Sequence, residues 1–277
     1  MNYGRAQRIG SNCLFERDSV LSAIAFYLRE PIASTQQILK KNVNYVRRNE
    51  EFRNKKQSLK RLNSQLNSFE FIDRENYLQL QSCNQSSRIV CSFHFGDFIY
   101  GLNALMCLES PSQKRIFHSQ QRASKDYFHN IKLSFGDRAV LDKNQLTTCA
   151  SNVLQILYQL RVQPTTLVMF CDLPGNFGQS CEVSFLGRKA FFPRGVATLG
   201  LCAQIPIIPA ISFSVSNTNY VKVFAPISPV KAQDETREKA VSRIIQDLVC
   251  ILESFVQLFP YQWKFLQALP NYFYKAT

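Results

Sequence analysis

An α/β fold, with a mostly parallel central sheet flanked by helices and an N-terminal helical cap, is what this sequence predicts, on three observations. After residue 86, short β-branched and aromatic runs alternate with helix-patterned segments, the rhythm of strands laid side by side by helical crossovers. Before residue 86 apolar residues recur at helical spacing. The chain has 277 residues, 45% hydrophobic and 19% charged, which suits one generous domain. The expected organisation is a single domain over 1–277, made of a basic helical region at 1–85 and an α/β core at 86–277.

In chain order, Arg5 and Arg8 are followed by no apolar stretch of the kind a secretory leader needs. The apolar segment Val20–Leu28 covers only about two helical turns, against the roughly 20 residues of a membrane crossing. A cytoplasmic protein is expected, with at most a peripheral contact at the inner membrane face. A helix over Ser19–Leu28 ends before Pro31, which lacks an amide hydrogen. Further helix follows within Gln36–Leu66, where Ile38, Leu39, Val43, Val46, Leu59, Leu62 and Leu66 mark the apolar stripe. Strands are expected at Arg88–Phe93, Lys114–Ser119, Thr166–Cys171, Ile207–Ser214 and Tyr220–Phe224, and helices at Asp97–Cys107, Gln145–Leu160, Gly195–Gln204 and Thr236–Phe259.

The formal charge of +13 is concentrated: nine cations lie between Lys40 and Arg61 against only Glu50 and Glu51. Such a stretch is either a solvated helical face or a docking surface for an anionic partner, an acidic carrier protein or an anionic membrane. Nucleic acid is not expected, because no zinc spacing, RNA-recognition aromatic motif or helix-turn-helix accompanies the charge. Nine cysteines are scattered with no CxxC pair and read as small buried hydrophobes in a reducing compartment. No metal or cofactor is expected.

Chemistry concentrates at Ser92-Phe93-His94-Phe95-Gly96-Asp97-Phe98, where a histidine follows a hydrophobic strand and precedes a helix start. The carboxyl ends of parallel strands are where open α/β sheets form ligand crevices. An imidazole there titrates near neutral pH and suits general-base work. Asp97 either fixes its tautomer or caps the following helix. Arg194, at a helix start, adds charge where an anion is already favoured, for a phosphate or a pantetheine arm.

This segment resembles the histidine, four spacers, acidic residue signature of the lysophospholipid acyltransferase superfamily, above all the HFGNWE form of its lipid A late acyltransferase branch. Phe170-Cys171-Asp172-Leu173-Pro174-Gly175, Val183–Gly187, Pro193-Arg194-Gly195, Ile207–Ala210 and Pro260-Tyr261-Gln262-Trp263 are similar to further blocks of that branch in order and spacing, over about Arg88 to Trp263. The resemblance implies transfer of an acyl group from a thioester, on acyl carrier protein or coenzyme A, to a hydroxyl or amine. His94 is then the base, and amides near Gly96 or the Arg194 side chain stabilise the oxyanion. Asp172 orients the crevice or binds a polar group of the substrate, unless it is a turn aspartate; Gly195 gives close helix approach. The sequence departs from the pattern twice. Ile99 stands where the family has its acidic partner, and His118 stands where it has an arginine that holds anionic substrate, a loss Arg122 compensates on this reading. The second departure argues against a phosphorylated sugar-lipid substrate, and with no membrane-length apolar segment the expectation is a soluble or carrier-bound acceptor in lipid or secondary-metabolite biosynthesis. The alternative, for which Ile99 argues, is a module of the same fold that only binds an acyl chain or carrier protein.

Overall fold

A computed structural model of the chain describes residues 14–82, 87–108, 114–117, 153–174 and 178–273. In chain order its strands are β1 (Phe69–Ile72), β2 (Arg88–Ser92), β3 (Lys114–Phe117), β4 (Thr165–Phe170), β5 (Ser180–Phe185), β6 (Arg188–Pro193), β7 (Ile207–Val215) and β8 (Thr218–Val223). Six of them form one sheet in the order β1-β8-β7-β2-β4-β3, and β5 and β6 form a separate antiparallel hairpin. Four of the five pairings in the sheet are parallel; only β7 and β8 run antiparallel. Their turn explains the exception: Ser216 and Asn217 both take positive φ, 49° and 67°, the twist a two-residue hairpin loop needs.

The described helices are α1 (Leu14–Leu28), α2 (Ile32–Asn54), α3 (Leu59–Leu66), α4 (Glu75–Ser82), α5 (Phe98–Met106), α6 (Val153–Val162), α7 (Gly195–Ala203) and α8 (Arg237–Leu258). Every position of β2 is buried, as expected of a central strand covered on both faces. Its alternate residues serve two cores. Ile89 and Cys91 join α6, α7, α8 and the β5–β6 hairpin on one side, while Val90 joins α3 and α5 on the other. All nine residues of α5 are buried, so this helix is apolar all round for the reason that it has no solvent face. The opposite case is α8, whose Ala240, Val241, Ile244, Ile245, Leu248, Val249, Leu252 and Val256 form one stripe, and whose start is capped by Thr236 accepting from the Lys239 amide at 3.3 Å.

The basic stretch is two helices. Lys55 is extended (φ −131°), and Ser58 starts α3 by accepting the Arg61 amide at 3.3 Å. Strand β1 and the β5–β6 hairpin were not among the expected strands. The part of the expected Gln145–Leu160 helix before Val153 lies outside the described residues. Cys250, expected inside, is exposed on the outer side of α8, whereas Cys91 and Cys171 are buried as expected. No helix among the described residues is long and apolar enough to cross a membrane.

Candidate active site

Strands β2 and β4 are adjacent, parallel and in step, with Ser92 opposite Phe170. Two residues past that pair, at the same carboxyl edge, the chain places His94 on one strand end and Asp172 on the other. The Asp172 carboxylate receives the His94 backbone N–H at 2.7 Å on Oδ2, and its Oδ1 lies 2.8 Å from His94 Nδ1. Since a carboxylate only accepts, Nδ1 carries the hydrogen and Nε2 is the basic nitrogen of the neutral ring. Trp263 Nε1 donates a third bond, 3.0 Å to Oδ2. Asp172 is completely buried, and three N–H donors are what offset the desolvation of a carboxylate there. Tyr272 completes the support, its hydroxyl donating to the Asp172 carbonyl at 2.6 Å. Burial, then the neighbouring Asp172, holds that phenol well above its ordinary pKa, so it stays a donor.

The imidazole sits between three phenyl rings, with centroids 4.2 Å to Phe170, 4.8 Å to Phe98 and 4.9 Å to Phe265, yet its side chain keeps 12% exposure. Lys264 brings positive charge to the same wall, its Nζ 5.9 Å from the Phe98 ring centre and 5.7 Å from that of Phe265.

The loop itself is held from three sides. The Lys264 amide donates to the His94 carbonyl at 2.8 Å, and the Gly96 amide donates to the Gln262 carbonyl at 2.9 Å. Buried Gln262 in turn pairs through its side chain with both backbone groups of Ser214 on β7, at 2.8 and 2.7 Å. The Pro260-Tyr261-Gln262-Trp263 block thus has a stated job, tying the histidine loop to the sheet and delivering an indole to Asp172. From α2, Asn49 Nδ2 donates to the Gly96 carbonyl at 2.8 Å, and its Oδ1 accepts the Ile99 amide at 3.4 Å. One helix therefore caps another across the fold. Two turns earlier Asn42 donates to the Trp263 carbonyl at 2.6 Å and the Tyr261 carbonyl at 3.1 Å. Gly96 has φ +56°, and a Cβ there would lie 2.6 Å from the Ser212 carbonyl oxygen, so only glycine fits.

Several expectations are corrected by this geometry. The carboxylate that meets His94 is Asp172; Asp97 faces away, with Oδ1 3.2 Å from Arg48 Nε, and although it occupies the first position of α5 it makes no capping hydrogen bond. Burial raises its carboxyl above the usual range, with Arg48 opposing only part of that. Ile99, in the family's acidic position, belongs to the apolar core of α5. The Gly96 amide is occupied by Gln262 and is not a donor for an oxyanion. Arg194 stands at the first position of α7 without capping it, its amide donating to the Gln179 carbonyl at 3.0 Å, and Gly195 opens that helix beside Met169. No contact joins either of them to His94. His118, Arg122 and Gly175 lie outside the described residues. Of the phenylalanines near His94 in sequence, Phe98 meets the imidazole, whereas Phe93 and Phe95 are fully buried core, as are Phe185 and Phe192.

The chain matches no family model and no curated protein.

Chemically, the site brings together an imidazole, an orienting carboxylate and an aromatic surround, with Lys264 on the same wall. Sequence reading had named His94 and Asp172 separately. It missed Asn42, Asn49, Lys264, Trp263 and Tyr272, of which the asparagines carried a usable signal: polar residues seven apart on one helix lie on the same face.

Proposed function

We propose that the protein is an acyltransferase that moves an acyl group from a thioester donor, on acyl carrier protein or coenzyme A, to a hydroxyl or amine acceptor, with His94 as general base. The observation that carries this reading is the 2.8 Å contact between His94 Nδ1 and Asp172 Oδ1, at a ring that is apolar-walled and still 12% exposed. The acceptor gives its proton to Nε2 as its oxygen or nitrogen attacks the thioester carbonyl. The carbonyl oxygen becomes negative, the tetrahedral adduct collapses, and the carbon–sulfur bond breaks. The thiolate leaves and takes up a proton, while the acyl group stays on the acceptor. Asp172 balances the imidazolium that forms, and Lys264 offers charge to the oxyanion, the kind of term worth about 3 kcal/mol when well placed. Asp172 supports this reading over a binding-only module as an acidic partner for His94 that Ile99 cannot be.

The exposed cations of α2 and its following turn suit an acidic carrier protein, with anionic membrane as a peripheral alternative, and an intracellular setting follows from such partners. A soluble or carrier-bound acceptor in lipid or secondary-metabolite biosynthesis fits the loss of the family's arginine at His118. The test incubates purified protein with acyl-carrier thioesters and with acyl-coenzyme A, each in the presence of amine and alcohol acceptors, and follows acyl transfer. Wild type transfers and His94→Ala does not; equal turnover in the two rejects His94 as the base.

A further inference from the structure

On the outer side of α2, next to the face that carries Asn42 and Asn49, an open depression of about 350 Å³ is lined by Lys41, Asn44, Tyr45, Arg47, Arg48 and Tyr261. We propose that it is a binding site for a phosphate ester, and that Arg48 is shared there between the bound phosphate and Asp97 of the histidine loop. Four observations converge on it. Three cations line one small space, and among the described residues only Arg48 has a carboxylate partner. Two of the cations rest on the tyrosine rings of the wall, Lys41 Nζ 5.3 Å from the Tyr261 centre and Arg48 Cζ 4.3 Å from that of Tyr45. This stacking orders a guanidinium while leaving its edge donors for an anion, a geometry suited to phosphate oxygens. A phosphate ester, with several acceptor oxygens, answers three cations better than a single carboxylate, and the volume of about 350 Å³ suits a phosphate with a short attached chain rather than a long acyl chain. Finally, Arg48 ties the depression to residue 97, three positions from His94, where Asp97 Oδ1 lies 3.2 Å from Arg48 Nε without a hydrogen bond of good geometry. That arrangement is open to a better anion.

The binding stands on the α2 residues and Tyr261 that line the depression. Naming the two sources of such a phosphate, the 4′-phosphopantetheine arm that carries an acyl thioester or a phosphatidic headgroup, rests on the acyl-transfer reading. The test titrates the protein calorimetrically with 4′-phosphopantetheine, pantetheine and inorganic phosphate, and sediments it with phosphatidylcholine vesicles with and without phosphatidic acid. Phosphopantetheine binds and pantetheine does not; Lys41→Gln, Arg47→Gln and Arg48→Gln each weaken binding about tenfold, the order expected for one charge-assisted contact. Asp97→Asn tightens it severalfold by releasing Arg48. Lys231→Gln, on another surface, and His94→Ala change nothing, so a failed catalytic reading leaves these titrations unmoved. Retention only on vesicles with phosphatidic acid, lost in Arg47→Gln, keeps the phosphate site and assigns the headgroup as its source. Equal binding of pantetheine and phosphopantetheine, equal weakening by Lys231→Gln, or no binding of any phosphate overturns the proposal.

Discussion

At the scale of single residues, Asp172 and Asp97 are two carboxylates with opposite parts. Asp172→Asn would keep the volume but put an NH2 against one of the N–H groups now donating to the carboxylate, and it would release the Nδ1–H tautomer. Turnover should fall about ten-thousandfold with little change in KM, the scale seen when an orienting carboxylate is lost elsewhere. Asp97 titrates the other way from a salt-bridged surface acid. Its folded carboxyl is raised by burial, so the stability it contributes is present at low pH and lost as pH rises through the raised value. Asp97→Asn removes that loss, and its urea midpoint relative to wild type should climb as pH rises above the ordinary carboxylate range of about 4. A relative midpoint that falls with pH would contradict the assignment. Trp263→Phe keeps the ring but removes the third donor to a buried carboxylate, and should cost about 1–3 kcal/mol of stability.

At the scale of elements, the histidine loop takes its shape from outside itself. Asn49→Ala strands a carbonyl and an amide at the start of α5 and should cost about 2 kcal/mol, while the exposed Lys40→Ala on the same helix costs almost nothing. Chemical denaturation distinguishes them. The central strands and the long helix α8 were legible because their apolar patterns are strong and local. Strand β1 was not: Phe69–Ile72 is only four residues long and is a strand because β8 pairs with it. The same limit governs the site. A histidine after a strand can be read from the chain, but its partner lies 78 residues away and becomes its partner only because β4 happens to lie beside β2 in register. Nearness in sequence pointed to Asp97, and the α2 contact with Arg48 is what takes that carboxylate elsewhere. Asn42 and Asn49 were hidden by the charges around them, which made α2 look like a helix whose importance was all on its outside.

For the molecule as a whole, the edge that holds His94 and the basic surface are joined by one helix: α2 presents asparagines inward to the loop and cations outward. If an acidic carrier delivers the donor, its kcat/KM should fall as salt rises from about 50 to about 300 mM, and charge reversal at Arg47, Arg48, Lys55 and Lys56 should flatten that dependence. The central claim is that the fold brings two strand ends together to hold one imidazole as a base. Its most direct test is the nitrogen NMR spectrum of the protein labelled at histidine, near neutral pH, with His94 assigned by His94→Gln. A neutral ring protonated on Nδ1, shifting tautomer in Asp172→Asn, is the predicted result; a ring protonated on Nε2, unaffected by that substitution, would contradict it.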